Sequence, residues 1–453
     1  MDGLSFLPQF GGLALTLLAF FAALSVIVAI HEYGHYIVGR WCGIKADVFS
    51  LGFGPVLFSR MDRHGTRWQL AALPFGGYVK FMGDANAASG TSDGTVEDMP
   101  PEIRRKTMLG APLWARTLTV AAGPVFNFIL SILVFGAIIM SQGKVTEPYV
   151  IDNLRPLPFD GVTLQEGDEL LAIEGREIPT LINMDEEDQE VFQAFIDALP
   201  REALLDYEVR RDGEIVTATG PHPQPPLVTQ LSPRSAAFES GLKQEDVIVG
   251  LDGERIYAFD QLKAVVEGSD GATVALDVWR DGDLMEFDLT PRRVDEPQED
   301  GGFETNWRIG IVGGLPYELQ TGPRGFGESL SNGVSQTWAV ISGSMSGLYH
   351  MITGAISSCN MSGPIGIAEV SGAMASQGVD SFIWFIAVLS TAVGLLNLFP
   401  IPVLDGGHLV FYAYEAVAGR PPSERALRIM MTVGLTLVLG VMLFALFNDI
   451  FCP

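Results

Sequence analysis

Residues 13–35 read LALTLLAFFAALSVIVAIHEYGH. Residues 13–28 carry no charged side chain, yet the run ends in two histidines and a glutamate. About 20 apolar residues of helix cross a bilayer, so the stretch predicts a membrane span that carries His31, Glu32 and His35 at its end. Ionisable groups at membrane depth are costly and mark function. At 3.6 residues per turn, His31 and His35 fall one turn apart on one face, the spacing at which two imidazoles share a tetrahedral metal ion. Glu32, beside the first histidine, can then reach a water at that metal as general base.

The whole chain supports this setting. Its 453 residues are 48% hydrophobic and 18% charged, with a mean hydropathy of +0.27 and a net charge of -26. Phosphate binding needs a basic surface, so nucleic acid is excluded as a partner. Cys42, Cys359 and Cys452 lack the paired spacings of a disulfide framework or a cysteine metal site; they are expected to be free thiols or packing residues, without redox chemistry. Four stretches are apolar enough to span a membrane, roughly 11–36, 115–140, 380–403 and 428–448. Asp2 and no basic residue precede the first, which lacks the positive start of a secretory signal and is expected to be retained.

The connecting segments set the topology. Ten basic residues lie between 40 and 116, and Arg420, Arg425 and Arg428 lie between the last two spans, so both segments are expected to be cytoplasmic. Residues 142–330 hold 39 acidic and 15 basic side chains and belong on the other side, together with both termini. Within that outer segment, GDELLAIEGREI (167–178) aligns with EDVIVGLDGERI (245–256): an acid, an apolar strand, an acidic-Gly turn and a second apolar position. Two copies of one small β-rich fold are expected. The second, with its SGL turn and following amphipathic helix, resembles a PDZ domain of the bacterial protease type. The first resembles one more loosely, with an acidic insertion NMDEEDQE (183–190). Such folds bind extended peptides by strand addition.

A catalytic zinc needs a third protein ligand and an open position. His222 and His350 belong to the outer side, and His64 sits in a turn, DRHG. In NLFPIPVLDGGH (397–408), Pro400 and Pro402 break the third span before Asp405, two glycines and His408. Broken backbone is tolerated at membrane depth only when it is buried in protein or lines a cavity, so the break marks a site. Asp405 and His408 compete for the third position, and the flanking glycines favour the aspartate.

HEYGH in the first span, NLFPIPVLDGGH in the third and PDZ-like copies between the second and third together resemble the site-2 protease family. The likeness extends through GFGP (52–55), PFGGYVKFMGD (74–84), AAGPVFNF (121–128), SGPIGI (362–367) and LFND near the end. Within that family it looks like the Gram-negative branch that cleaves an anti-sigma factor in the envelope stress response. The resemblance implies a multi-pass α-helical membrane protein of four transmembrane helices, with a membrane re-entrant β-hairpin and two PDZ-like α+β domains between helices 2 and 3. It implies one zinc ion held by His31, His35 and Asp405, with Glu32 as catalytic acid/base and Asn397 holding the substrate backbone. DVFSLGFGPVLFSR (47–60) is expected to form the re-entrant hairpin, with Gly52, Phe53 and Gly54 along the extended substrate. The expected organisation is a membrane core at 1–141, PDZ-like domains at 142–224 and 225–295, a linker with a membrane-surface helix at 296–375, and the rest of the core at 376–453. The helical stretch within 325–361 reads either as interfacial or as buried in the outer domain.

The implied substrates are single-span membrane proteins already cut on the outer side, including an anti-sigma factor and remnant signal peptides, within the lipid of a bacterial inner membrane. The PDZ-like copies would either exclude intact outer domains or capture a new carboxyl terminus. A membrane-anchored PDZ scaffold without catalysis is the rival expectation; a transporter would need paired inverted repeats, which the sequence lacks.

Overall fold

The computed structural model describes residues 6–83, 99–182, 186–298 and 302–452. Asp84, which ends the PFGGYVKFMGD stretch, and residues 183–185, which begin the acidic insertion, lie outside them. Nine helices carry the argument. α1 (Phe6–Trp41) and α2 (Leu113–Gln142) come first, and α3 (Glu186–Asp197) and α4 (Phe259–Gly268) lie in the inserted segment. α5 (Phe326–Thr353), α6 (Pro364–Ser376), α7 (Val379–Asn397), α8 (Asp405–Ala418) and α9 (Glu424–Phe451) follow. The chain divides into two compact units, Met1–Ile138 with Phe326–Pro453, and Ile139–Gly325.

In the first unit, Gly12–Trp41, Leu113–Gln142, Val379–Asn397 and Glu424–Phe451 are long and apolar enough to cross a membrane. The third span ends sooner than its apolar run. α7 stops at Asn397, the segment carrying Pro400 and Pro402 stays out of helix, and Asp405 opens α8. Ala23 of α1, Met374 of α6 and Phe385 of α7 form a small core among these helices. α5 packs through a polar and small stripe, Ser329, Gly333 and Thr337, while Trp338, Tyr349 and Ile352 are exposed. It belongs to this unit, which removes the reading as a helix buried in the outer domain.

β1 (Ala46–Met61) and β2 (Arg67–Phe81) connect α1 to α2. The expected hairpin within 47–60 is corrected here, because the reversal falls at 62–66, where Asp62 accepts from the backbone N–H groups of His64 and Thr66. Both strands bend, β1 at Gly52–Gly54 and β2 at Pro74–Gly76. Residues 67–70 therefore pair with 48–51 on one edge and with 58–61 on the other, while 77–81 flank 46–51. GFGP bends the strand because Gly52 and Gly54 hold φ of +86 and +83, a region in which other residues are strained. The far half of this sheet is apolar and exposed, with Leu57 at 68% and Phe58 at 65%.

Cys359 and Cys452, expected to be free, form a disulfide across a sequence separation of 93. Spacing rules detect clustered cysteines and miss a pair that the fold brings together. Asn448 reinforces the junction by donating to the Ser358 carbonyl at 2.7 Å, and the Asp449 carboxylate accepts from the N–H groups of Gly363 and Ile365. Cys42 remains a free thiol.

The second unit contains two sheets of identical strand order. β3 (Glu169–Ile173), β4 (Arg176–Glu177), β5 (Leu205–Arg211) and β6 (Glu214–Gly220) run β4-β3-β5-β6. β7 (Val247–Leu251), β8 (Glu254–Arg255), β9 (Val274–Arg280) and β10 (Asp283–Leu289) run β8-β7-β9-β10. α3 and α4 occupy the same place in the two orders. Each closing hairpin turns on Asp-Gly with both φ positive, 212–213 and 281–282, as a two-residue type I′ turn requires. Each module also buries one aspartate before its first sheet strand, and an arginine grips it with two nitrogens: Arg211 on Asp168, Arg280 on Asp246.

The stretch after 295 is more than a linker. Ile309 enters the core of the second module and Ile311 pairs with Leu231, while Tyr317 and Leu319 enter the core of the first and pair with Ile151–Leu154. The chain returns through both modules before α5, which local periodicity does not reveal.

Candidate metal centre

α1 carries His31 and His35 with their rings edge to face, centroids 4.8 Å apart. Their Nε2 atoms are 3.2 Å apart, and Asp405 Oδ2 lies 3.2 Å from the first and 3.4 Å from the second. Bonds of 2.0–2.1 Å to a tetrahedral zinc place neighbouring ligand atoms about 3.3 Å apart, so these three atoms have the dimensions of one face of such a site. Asp405 Oδ2 is buried without a hydrogen-bond partner, as expected of an oxygen whose partner is a cation. Among the described residues, these three form the one histidine, cysteine and carboxylate group arranged to hold a metal ion.

α2 sets the tautomers. His35 Nδ1 lies 2.8 Å from the Thr119 carbonyl, which can only accept, so Nδ1 carries the proton and Nε2 keeps its lone pair. His31 Nδ1 lies 3.2 Å from Nδ2 of Asn127, whose Oδ1 is buried without a partner. Turning that amide over puts Oδ1 on a His31 Nδ1–H, which satisfies the oxygen and frees the Nε2 lone pair; amide orientation is fixed by such networks. Close approach of the helices depends on Gly123, where a Cβ would lie 2.4 Å from His35 Nε2 and 2.8 Å from His31 Nε2.

Asp405 reaches the histidines because the Pro400–Pro402 segment turns the chain back, and Gly406 lets α8 pack on it. A Cβ there would stand 2.3 Å from the carbonyl oxygens of Leu398 and Phe399. Arg116 of α2 and Glu415 of α8 form a two-pronged ion pair, with 2.6 Å for its shorter contact, that joins the two helices. Glu32 follows His31 on α1, with the backbone of Gly77–Val79 alongside its side chain.

None of the remaining candidates belongs to the metal-sized triangle. The Asn397 side chain donates to the Val393 carbonyl of its own helix at 3.0 Å. Gly52 and Gly54 form the bend of β1, and Phe53 stacks on Tyr78 with 43% of its surface exposed. His408 contacts Phe411 and is no part of the metal-sized group. His64 faces Arg40, and His350 Nδ1 donates to the Ser346 carbonyl within α5 at 2.9 Å. Residue spacing missed Thr119, Gly123 and Asn127; the available signal was a polar asparagine inside an apolar run.

Spanning helices that carry a two-histidine, one-carboxylate centre beside a glutamate define a membrane-bound metallopeptidase class. A sequence model of peptidase family M50 matches residues 19–441, and the chain belongs to that family, the site-2 proteases. It is 35% identical over 435 residues to "Putative zinc metalloprotease Atu1380" of Agrobacterium fabrum, covering 95% of this chain and 94% of that one. It is 34% identical over 440 residues to "Putative zinc metalloprotease R01501" of Rhizobium meliloti, covering 96% of each. To "Regulator of sigma-E protease RseP" of Salmonella typhimurium it is 32% identical over 457 residues, covering 96% and 98%. The protein is a zinc metalloprotease.

Proposed function

We propose that this protease hydrolyses peptide bonds within the membrane-spanning segments of single-span proteins, after a first cut outside the membrane. An anti-sigma factor of the envelope stress response is the foremost substrate, in keeping with the sigma-E relative, and remnant signal peptides are a second class. The observation that carries the reading is the triangle of His31 Nε2, His35 Nε2 and Asp405 Oδ2 with edges of 3.2–3.4 Å, beside Glu32. His31, His35 and Asp405 would hold the zinc, which supplies Lewis-acid polarisation of a carbonyl and acidification of water. Glu32 takes the proton of the attacking water and delivers it to the leaving amine, with Gly77 of the sheet packed against its side chain.

A helical substrate hides its carbonyls in its own hydrogen bonds, so it must be extended before it is cut. The β1–β2 sheet supplies backbone partners for the extended strand, with Gly52, Phe53 and Gly54 along its path and Asn397 as a further amide. The exposed apolar surface of that sheet, Phe53, Leu57, Phe58 and Phe75 among it, supports its re-entry into the membrane. The two modules of matching strand order are read as PDZ-like domains at 142–224 and from 225, each completed by the returning chain, that contact or screen the outer part of the substrate. The membrane core is then 1–138 together with 326–453, wider than the expected 1–141 and 376–453 because α5 and α6 belong to it.

The inner membrane is the proposed location, with the metal centre toward the cytoplasm and the modules and both termini in the periplasm. The basic residues at 40–116 and in the α8–α9 link support that orientation. So does the Cys359–Cys452 disulfide, which suits an oxidising compartment. The test is to incubate the purified protein with a single-span substrate lacking its outer domain and map the products by mass spectrometry. Cleavage between residues of the span supports the proposal; cleavage only in flanking loops overturns it.

A further inference from the structure

Arg420 of the link between α8 and α9 and Arg425 and Arg428 of the first turns of α9 lie within nine residues, against one acid, Glu424. Among the described residues none of these three guanidinium groups has an ion-pair partner, whereas Arg116 nearby in the same unit is neutralised by Glu415. Beside them a cavity of about 500 Å³ is lined by Val410, Phe411 and Tyr414 of α8, Arg420 of the link, and Ala426 and Met430 of α9. Pro421, Pro422 and Ser423 complete the lining, so one cation and one serine hydroxyl face a wall that is mostly apolar and aromatic.

The position of the cavity narrows the ligand. α9 begins ERALR and turns apolar from Ile429 onward, with Ile429 and Val433 both more than half exposed, so the cavity lies where the polar end of a span gives way to its lipid-facing length. Val410 and Tyr414 are about half exposed at its mouth. A soluble anion would match Arg420 and leave the apolar walls wet. A neutral lipid would match the walls and leave three cations uncompensated at the edge of a membrane.

We propose that this cavity holds one anionic phospholipid, with its phosphate on Arg420 and the start of its acyl chains against Val410, Phe411 and Met430. Arg425 and Arg428 add to the attraction without lining the cavity. Ser423, which caps α9 by accepting from the Ala426 N–H, keeps its hydroxyl hydrogen free to donate to the headgroup. The site is separate from the metal centre and does not depend on catalysis.

The test is native mass spectrometry of the full chain released from detergent, titrated with phosphatidylglycerol or phosphatidylcholine of matched chains. Wild type should take up its first phosphatidylglycerol about fivefold more tightly than phosphatidylcholine, the advantage of one cation at a membrane surface. Arg420→Gln, at an exposed position, should remove that preference, and Arg420→Lys should retain it. Ala426→Trp fills the cavity and should weaken the first binding event with every charge in place. Equal affinity for the two lipids in wild type, or an undiminished preference in Arg420→Gln, overturns the proposal. Loss of the preference when inorganic phosphate replaces chloride at constant ionic strength reassigns the site to a soluble anion and overturns it as well.

Discussion

Asn127, buried in the middle of α2, faces Nδ1 of His31 at 3.2 Å, on the side of the ring away from Asp405. The contact sets which ring nitrogen can act as a ligand. Asn127→Ala should therefore lower zinc affinity by about 10–100-fold, the usual cost of losing a partner behind a ligating histidine. Chelator competition with the purified protein measures this; unchanged affinity would show that the amide is only a packing residue.

Gly123 gives a sharper steric test. An alanine methyl there would press on both imidazoles, 2.4 Å from one Nε2 and 2.8 Å from the other. Gly123→Ala should lose most bound zinc and activity, while Gly12→Ala, where a methyl meets nothing within 4 Å, should change neither. Metal stoichiometry on both variants decides it.

Asp62 locks the β1–β2 turn to α1. It accepts from Tyr36, Trp68 and the N–H groups of His64 and Thr66. Partial burial pushes its pKa up, but these donors outweigh it and hold the carboxyl down at about 2. A depressed carboxylate contributes stability above its unfolded pKa of about 3.9, and that stability disappears as pH falls through the folded value. Asp62→Ala should cost about 1–3 kcal/mol at neutral pH by leaving donors unpaired. The gap to wild type in thermal unfolding should shrink between about pH 4 and pH 2.

Asp246 is fully buried and held by Arg280 at 2.6 Å through both carboxylate oxygens. Removing one partner of such a pair strands the other, at about 3–5 kcal/mol. Arg280→Leu should therefore loosen the second module, raising hydrogen exchange across 245–290 while leaving zinc content unchanged. Arg211→Leu should do the same for the first module, because Asp168 stands in the same relation to it.

What could be read in advance follows from the range of each signal. Spans, the one-turn spacing of His31 and His35, and the Asp-Gly hairpin turns are encoded within a few residues. The proline break before Asp405 was equally local, and Asp405 does meet both histidines. The contacts of Asn127 with His31 and of Thr119 with His35 join helices about 90 residues apart, and no periodicity reports them. Glycines that bend a strand look in sequence like glycines that reverse a chain, and at 52–54 they bend β1 while the reversal falls at 62–66. The Cys359–Cys452 pair and the return of Ile309–Leu319 through both modules are likewise products of the folded chain.

The most direct measurement compares wild type with Glu32→Gln for zinc content and for cleavage of a single-span substrate in detergent. Glu32 lies next to the ligand triangle without belonging to it. Both proteins should therefore hold about one zinc, and only wild type should cut. Cleavage by Glu32→Gln at the wild-type rate, or wild type that cuts with no zinc bound, would contradict the account.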